Sequence, residues 1–313
     1  MIEIFYYKDG IKKGRVDDLE KLKNEKIWID VTNLTREETQ LLGKIFDLHP
    51  TTQEDLFKSN VRIKIEEFDK YLFCIFYGIK NTKSIEMYEL DFVLGKDFVI
   101  SNHKKTIECF EELKKDTERL EAIFKKGEDF ILHELLDREI DNYFPILEHV
   151  DEQIEKIEEL VAKKPKPKVL SEILKLKRMV ILVKRRVFEQ REKVSFLAKR
   201  GYKFLSRDSV PYFRDVYDNT IRVSDSLDNS RELIANTYDV YMSTMSNNMN
   251  EVMKVLSIIA TVFMPLTVIS SIYGTNFKVL PGAEQPFGFY FMIAGMFLLS
   301  GMFLFMFKKR GWF

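Results

Sequence analysis

Cysteine is scarce in this chain of 313 residues: Cys74 and Cys109 are its only thiols. They form no CxxC pair, and their flanks, LFCIFYG and IECFEE, read as core positions, so a reducing compartment fits best. Net charge is lacking too. Lys plus Arg and Asp plus Glu both total 49. That balance argues against nucleic acid as a partner, because duplex binders carry a basic surplus. There is no GxxxxGK[ST] motif, hence no P-loop. The four histidines, His49, His103, His133 and His149, show no ligand spacing, and HELLD at His133 lacks the second His of HExxH. No Ser/His/Asp or Cys/His grouping stands out, so neither an enzyme nor a cofactor is expected. The opening MIEIFYYKDGIKK has no basic n-region and no long apolar run. The expectation is no signal peptide, with the N-terminal portion in the cytosol.

Charge disappears almost entirely near the end. From Val255 to Phe307 only Lys278 and Glu284 are charged. Val255 to Tyr273 is 19 uncharged residues, ~29 Å of helix, and Phe287 to Phe307 is 21, ~32 Å. Either run alone fits a buried core helix. Both together exceed what a soluble helical hairpin needs, and each matches one hydrocarbon core. Lys254 precedes the first run, and Lys308, Lys309 and Arg310 follow the second. By the rule that Lys and Arg stay inside, both termini are cytoplasmic and the loop between the runs is external. Trp312 and Phe313 suit an interfacial anchor.

Helix breakers are missing as well. Residues 212 to 264, 53 in a row, contain neither Gly nor Pro, although the chain holds 21 of them. A single helix from Pro211 to Tyr273 is expected. Leu227, Ile234, Tyr238, Tyr241 and Met245 form one apolar seam. It suits either a contact within one subunit or a parallel bundle of several copies. Continued into the first span, the seam selects Asn250, Met253, Ser257, Ala260, Met264, Thr267 and Ser271. These are small, polar or Met, where a lipid face would be bulky and aliphatic. Ordinary helix packing also favours small residues. The stripe, however, leads to the polar tripeptide Gly274-Thr275-Asn276 after Tyr273, and the two together point to a water-filled path. Pro265 leaves the Thr261 carbonyl without its helical donor.

Before these helices the pattern is mixed. IEIFYY, KIWIDV, RIKIEEF, YLFCIFYGI, YELDFVLG and DFVIS read as strands. TREETQLLGKIF and TIECFEELKKDTERL read as helices, the first with a Thr35/Glu38 capping box. An α/β/α sandwich follows. Two long helical stretches, about 128–161 and 169–199, flank the proline-containing turn KKPKPK. The first ends acidic and the second is rich in Lys and Arg, the pattern of an antiparallel hairpin with complementary faces.

NEVMKVLSIIATVFMPLTVISSIYGTNF (residues 250–277), a second span and KKRGWF, together with HPTTQEDLFKSNVRIKIEEFDKYLFCIF and YFRDVYDNTI, resemble the CorA family of divalent-cation channels. The order of span, GxN loop, span and basic tail is specific, and the resemblance covers nearly the whole chain. The loop reads YGTNF where the family usually has YGMNF, so Thr275 is a departure that bears on ion selectivity. The resemblance implies a homopentameric funnel with first spans lining the pore, second spans outside, and Mg²⁺ as substrate and regulatory ligand. It carries pore positions over to Asn250, Met253, Leu256, Ala260, Met264, Thr267 and Asn276. It also implies a divalent ion between Asp55, helped by Glu54, and Asp215 of the adjacent subunit, closing the channel when the cytosol is replete. Read from the residues alone, Asp55 caps or solvates a helix and Asp215 lies on a wet surface.

The expected organisation is an α+β membrane protein of the cell (inner or plasma) membrane. It has an α/β domain (1–125), a helical hairpin (126–210), a stalk helix (211–251) and a pore-lining span (252–273). An external loop (274–286), a second span (287–307) and a basic tail (308–313) complete it. Its partners are copies of itself, the bilayer and divalent cations. Its function is passive, potential-driven Mg²⁺ entry. The alternatives are Co²⁺, Ni²⁺ or Zn²⁺ as the ion, or a non-transporting anchored sensor or scaffold.

Overall fold

The computed structural model describes every residue except 59–61, 82–84, 164, 165, 200, 279, 283 and 313. Residues 59–61 of the stretch HPTTQEDLFKSNVRIKIEEFDKYLFCIF, parts of the KKPKPK turn and the external loop, and the Phe313 anchor thus lie outside the described residues. The chain divides into two compact units: residues 1–160 with 166–238, and residues 161–165 with 239–313.

The first unit is built on seven strands, β1 (Ile2–Tyr7), β2 (Ile11–Gly14), β3 (Lys26–Thr32), β4 (Lys64–Glu67), β5 (Tyr71–Asn81), β6 (Ile85–Gly95) and β7 (Phe98–His103). Their order is β2-β1-β3-β7-β6-β5-β4, antiparallel except for β3 beside β7. Successive side chains alternate between faces. Ile27, Ile29 and Val31 of β3 share one core with Leu42, Phe46 and Leu56 from α2 (Arg36–Ile45) and α3 (Pro50–Phe57), while α1 (Leu19–Leu22) adds Leu19. On the other face Trp28 stacks on Phe5 at 5.4 Å and meets Phe110 edge-on at 6.5 Å. Here α4 (Glu108–Lys115), α5 (Thr117–Lys126) and α6 (Glu128–Asp141) cover the sheet, with α6 against β3, β5, β6 and β7. Helices on both faces make the expected α/β/α sandwich. The capping box is present: Glu38 N–H donates to Thr35 Oγ1 at 3.2 Å, and Thr35 N–H donates to Glu38 Oε2 at 2.9 Å.

Beneath α4 lies a buried charge network. Asp30 accepts from Ser101 Oγ at 2.5 Å and His103 Nε2 at 3.0 Å, and Lys114 Nζ lies 2.6 Å away. Burial alone would raise the Asp30 carboxyl, but His103 and Lys114 hold it below its ordinary range. Oxygens of Glu3, Asp30 and Glu111 lie within 4.8 Å of one another. Lys114 contacts all three, so that centre already holds a cation.

Three elements differ from expectation. Strand β2 lacks an apolar alternation that would mark it. The stretch 106–120 breaks at Asp116, whose carboxylate caps α5 by accepting from Arg119 N–H at 3.0 Å. The stretch 128–161 divides into α6 and α7 (Tyr143–Lys163). Pro145 supplies the reason: it has no N–H for the Asp141 carbonyl, and its ring crowds the preceding turn. Gly127, at φ +145°, makes the tight turn that lets α5 and α6 both lie on the sheet.

Next come α8 (Pro167–Lys199) and the long helix α9 (Val210–Tyr273), 64 residues or ~96 Å. Asp151 and Glu158 of α7 accept from Ser230 and Thr237 of α9, each at 2.9 Å, and Lys184 of α8 pairs with Asp228. Asp151, Glu158 and Lys184 of the hairpin thus engage α9. Leu227 and Ile234 are buried, Ile234 among Ile154, Ile157, Ile173 and Leu176. That part of the seam is a contact within the chain.

The second unit holds the rest of α9 and α10 (Gly288–Lys309). Both carry windows apolar enough to cross a membrane, with mean hydropathy 2.2 and 2.0, and almost none of either window is buried within the chain.

Candidate functional site

The membrane half of α9 has two unlike faces. Ile258 is buried and Val262, Pro265, Leu266 and Ile269 are partly covered. At about 100° per residue these positions cluster on one side. Ile269 and Tyr273 line a hollow with Phe287, Phe291 and Met296, so this side faces α10. The residues singled out from sequence, Asn250, Met253, Leu256, Ser257, Ala260, Met264, Thr267 and Ser271, are all exposed. They centre some 200° away, opposite α10. Leu256 and Ser257 flank the two edges of this one face.

The polar groups of the face are partly satisfied by the helix itself. Ser257 and Thr267 hydroxyls donate to the carbonyls four residues back at 2.8 and 2.9 Å, as does Thr261 at 2.8 Å. Each donor is used and the oxygen lone pairs remain available. Helix α9 runs on through Pro265.

At its end Gly274 N–H donates to Ser270 O at 2.9 Å, and Thr275 Oγ1 donates to Ile272 O at 2.8 Å. Tyr273 Oη donates to Pro281 O at 2.8 Å, tying the loop back to the helix. Gly274 does not adopt a left-handed angle. The constraint is space: a Cβ there would lie 3.3 Å from the Ser270 carbonyl oxygen. Thr275 turns its hydroxyl inward to the helix end, leaving Asn276 exposed at the tip. At the other end of α10, Lys308 and Lys309 lie in the last turn and Arg310 caps it. There Trp312 stacks on Phe307 at 5.2 Å.

The acidic candidates fall into two places. Asp55, on α3, meets Lys64 of β4 at 2.6 Å, and Lys64 also reaches Glu66 at 2.8 Å. Burial would lower the Lys64 ammonium, but Asp55 and Glu66 outweigh it and hold it above its ordinary value. Glu54 pairs with Lys58 at 2.6 Å on the surface. Asp215, exposed near the start of α9, bears on two carboxylates of α6. Asp137 is pushed up to about 6 by burial, with the charges of Asp141 and Asp215 adding to it. Asp141 is raised by burial and by Asp215. Asp137 Oδ1 is buried without a hydrogen-bond partner. Sequence reasoning missed Asp137 and Asp141. The signal was there in DREID, a pair of Asp four apart that share one helix face.

The chain matches the family described as CorA-like Mg²⁺ transporter protein over residues 23–309. It is 34% identical over 290 residues to the cobalt/magnesium transport protein CorA of Thermotoga maritima, covering 91% of this chain and 83% of that one. A cobalt/magnesium transport protein CorA of Methanocaldococcus jannaschii is 24% identical, with 97% of each chain covered. Among solved structures, the complete CorA magnesium transporter from Methanocaldococcus jannaschii superposes with a TM-score of 0.89 at 21% identity, over 100% of this chain and 99% of that one. A membrane protein with this sandwich, long helix and second apolar helix, matched over nearly its whole length, belongs to the CorA family.

Proposed function

We propose that the chain is the subunit of a passive, homopentameric divalent-cation channel that admits Mg²⁺ down the membrane potential. The observation that carries this reading is the exposed face of α9 opposite α10, which ends at the exposed Asn276. Two spans per chain cannot enclose a pore, so this face needs copies of itself around an axis. Relatives named as cobalt and magnesium transport proteins support the same class of ion. Co²⁺, Ni²⁺ and Zn²⁺ are the competing substrates, separable by competition in one uptake assay.

Mg²⁺ sheds water reluctantly. The carboxamide of Asn276 and nearby carbonyls bind the hydrated ion through its waters, weakly enough to release it. No carboxylate lies on the proposed pore face to trap it. Rings of Met253, Leu256 and Met264 form an apolar constriction that closes by dewetting. An inside-negative potential supplies ~4.6 kcal/mol for a divalent ion per 100 mV, and no ATP is consumed. Both termini are cytoplasmic and the Asn276 loop is external.

Closure follows from cytosolic Mg²⁺ bound between subunits at Asp55 and Asp215. Carboxylates facing one another repel until a divalent ion bridges them, which couples occupancy to subunit spacing. Asp137 and Asp141 enlarge the charge around Asp215, and Lys64 holds Asp55 in place while the ion is absent. The test is Mg²⁺ uptake into liposomes holding purified protein. Asn276→Ala is expected to lower the rate at least tenfold, and a variant conducting like the parent removes the loop from the mechanism.

A further inference from the structure

The edge of the sandwich where β3 and β7 begin carries a hollow of about 940 Å³. Hollows of ~300–1,000 Å³ hold ligands of drug size. Its walls are the end of α2, the turn between β6 and β7, the turn between α5 and α6, and residues 203–206 before α9. All of them belong to the first compact unit, so the hollow is independent of how the membrane helices assemble. Neither Asp55 nor Asp215 lines it.

One wall group lacks what a buried polar atom needs. Glu128, the first residue of α6, is only 8% exposed, and its Oε1 has no hydrogen-bond partner. Lys26 Nζ stands 3.8 Å from that oxygen, beyond hydrogen-bond reach, and donates instead to Phe124 O at 3.1 Å. The adjacent Asp129 is satisfied, accepting from Phe130 N–H at 3.1 Å and Ser206 N–H at 2.8 Å. Burial raises the Glu128 carboxyl above its ordinary range, and Asp97 and Asp129 add to the shift. A carboxylate so placed calls for a donor. The last torsion of Glu is soft, so either oxygen can turn to meet a donor in the hollow.

The other walls narrow the class of donor. Phe46 and Phe98 are buried with ring centroids 4.3 Å apart, and Phe204 is partly covered, which gives an apolar surface suited to a flat ring. Lysines stand around it. Lys70 pairs with Asp47 at 2.5 Å and Lys203 Nζ donates to Asp69 O at 3.1 Å, but Lys23 and Lys96 are exposed and make no ion pair among the described residues. A divalent cation fits poorly among these ammonium groups. The one carboxylate trio close enough to share an ion, among the described residues, is Glu3, Asp30 and Glu111, outside the hollow. Phosphate alone has no ring for the apolar surface, and a polyamine is repelled by the lysines.

We propose that this hollow binds a nucleotide, with the base on the apolar surface, a base N–H donating to the Glu128 carboxylate, and the phosphates turned to the lysines.

The test is calorimetric titration of the full-length protein in detergent with ATP, GTP and tripolyphosphate. Excess EDTA keeps the nucleotides from acting by withdrawing Mg²⁺. Saturable binding at one site per chain is expected, with ATP or GTP at least roughly tenfold tighter than tripolyphosphate. Glu128→Gln should erase most of that difference and leave tripolyphosphate affinity unchanged. Burial already disfavours the charge, so this neutral isostere is expected to fold. Lys23→Gln with Lys96→Gln, both on the surface, should weaken all three ligands several-fold, whereas Lys12→Gln with Lys175→Gln, away from the hollow, should weaken none. No saturable binding of either nucleotide overturns the proposal. So does tripolyphosphate binding as tightly as both nucleotides, Glu128→Gln binding nucleotides like the parent, or equal loss in the two lysine pairs.

Discussion

Asp137 stands in surroundings that oppose its charge. It is half-buried, one oxygen has no partner, and Asp141 and Asp215 add like charge. Its carboxyl is raised from an ordinary 3.8 to about 6. A folded-state value above the unfolded one stabilises the fold only while the group stays protonated. That contribution is complete below about pH 4 and disappears as pH rises through about 6. Asp137→Asn should therefore stabilise the protein above pH 7 by about 1 kcal/mol, after discounting for solvent screening, and change little near pH 4. Thermal melts at the two pH values, in chelator, measure it. An equal shift at both would mean the charge is not the cause. Millimolar Mg²⁺ should erase most of the difference at neutral pH if the ion binds beside Asp215. The Asp137/Asp141 pair could have been read from DREID, but not Asp215 beside it, because Asp137 and Asp215 are 78 positions apart and meet only through the packing of α6 on α9. Asn276 was legible because its context is local: a polar tripeptide between two uncharged runs.

Helix α9 owes its length to a 53-residue absence of breakers, and it was read almost to the residue. The capping box at Thr35 was equally plain, since its two hydrogen bonds join residues three apart. Thr35→Ala should cost about 1 kcal/mol in denaturant unfolding. A smaller loss would mean that tertiary packing, rather than the cap, holds the start of α2. Elements whose ends depend on one residue were harder to see. Asp116 and Pro145 each split a stretch that periodicity had joined, and β2 is a four-residue edge strand without an apolar face. The seam on α9 was found, but not its partner. Leu227 is buried and Ile234 packs on α7 and α8 of the same chain, so Ile234→Ala should destabilise the monomeric fold by about 2–4 kcal/mol. It should do so without dispersing an oligomer. Dissociation at unchanged melting temperature would place Ile234 between subunits instead.

At the scale of the molecule, one chain presents a sandwich with its apolar core buried within the chain and a pair of apolar helices with little in-chain burial. That contrast is the physical argument for assembly. The α10-facing side of α9 is partly covered within the chain, and the opposite side is exposed. Mass measured in detergent should give five copies, whereas a single copy would favour an anchored sensor. The central claim is tested most directly by metal entry under a controlled potential. Purified protein in vesicles, with a Mg²⁺-sensitive dye inside and no nucleotide, should admit Mg²⁺ when the interior is made negative by a K⁺ gradient and valinomycin. Entry should slow several-fold when the potential is collapsed. Entry no faster than in protein-free vesicles, or entry indifferent to the potential, would contradict the account.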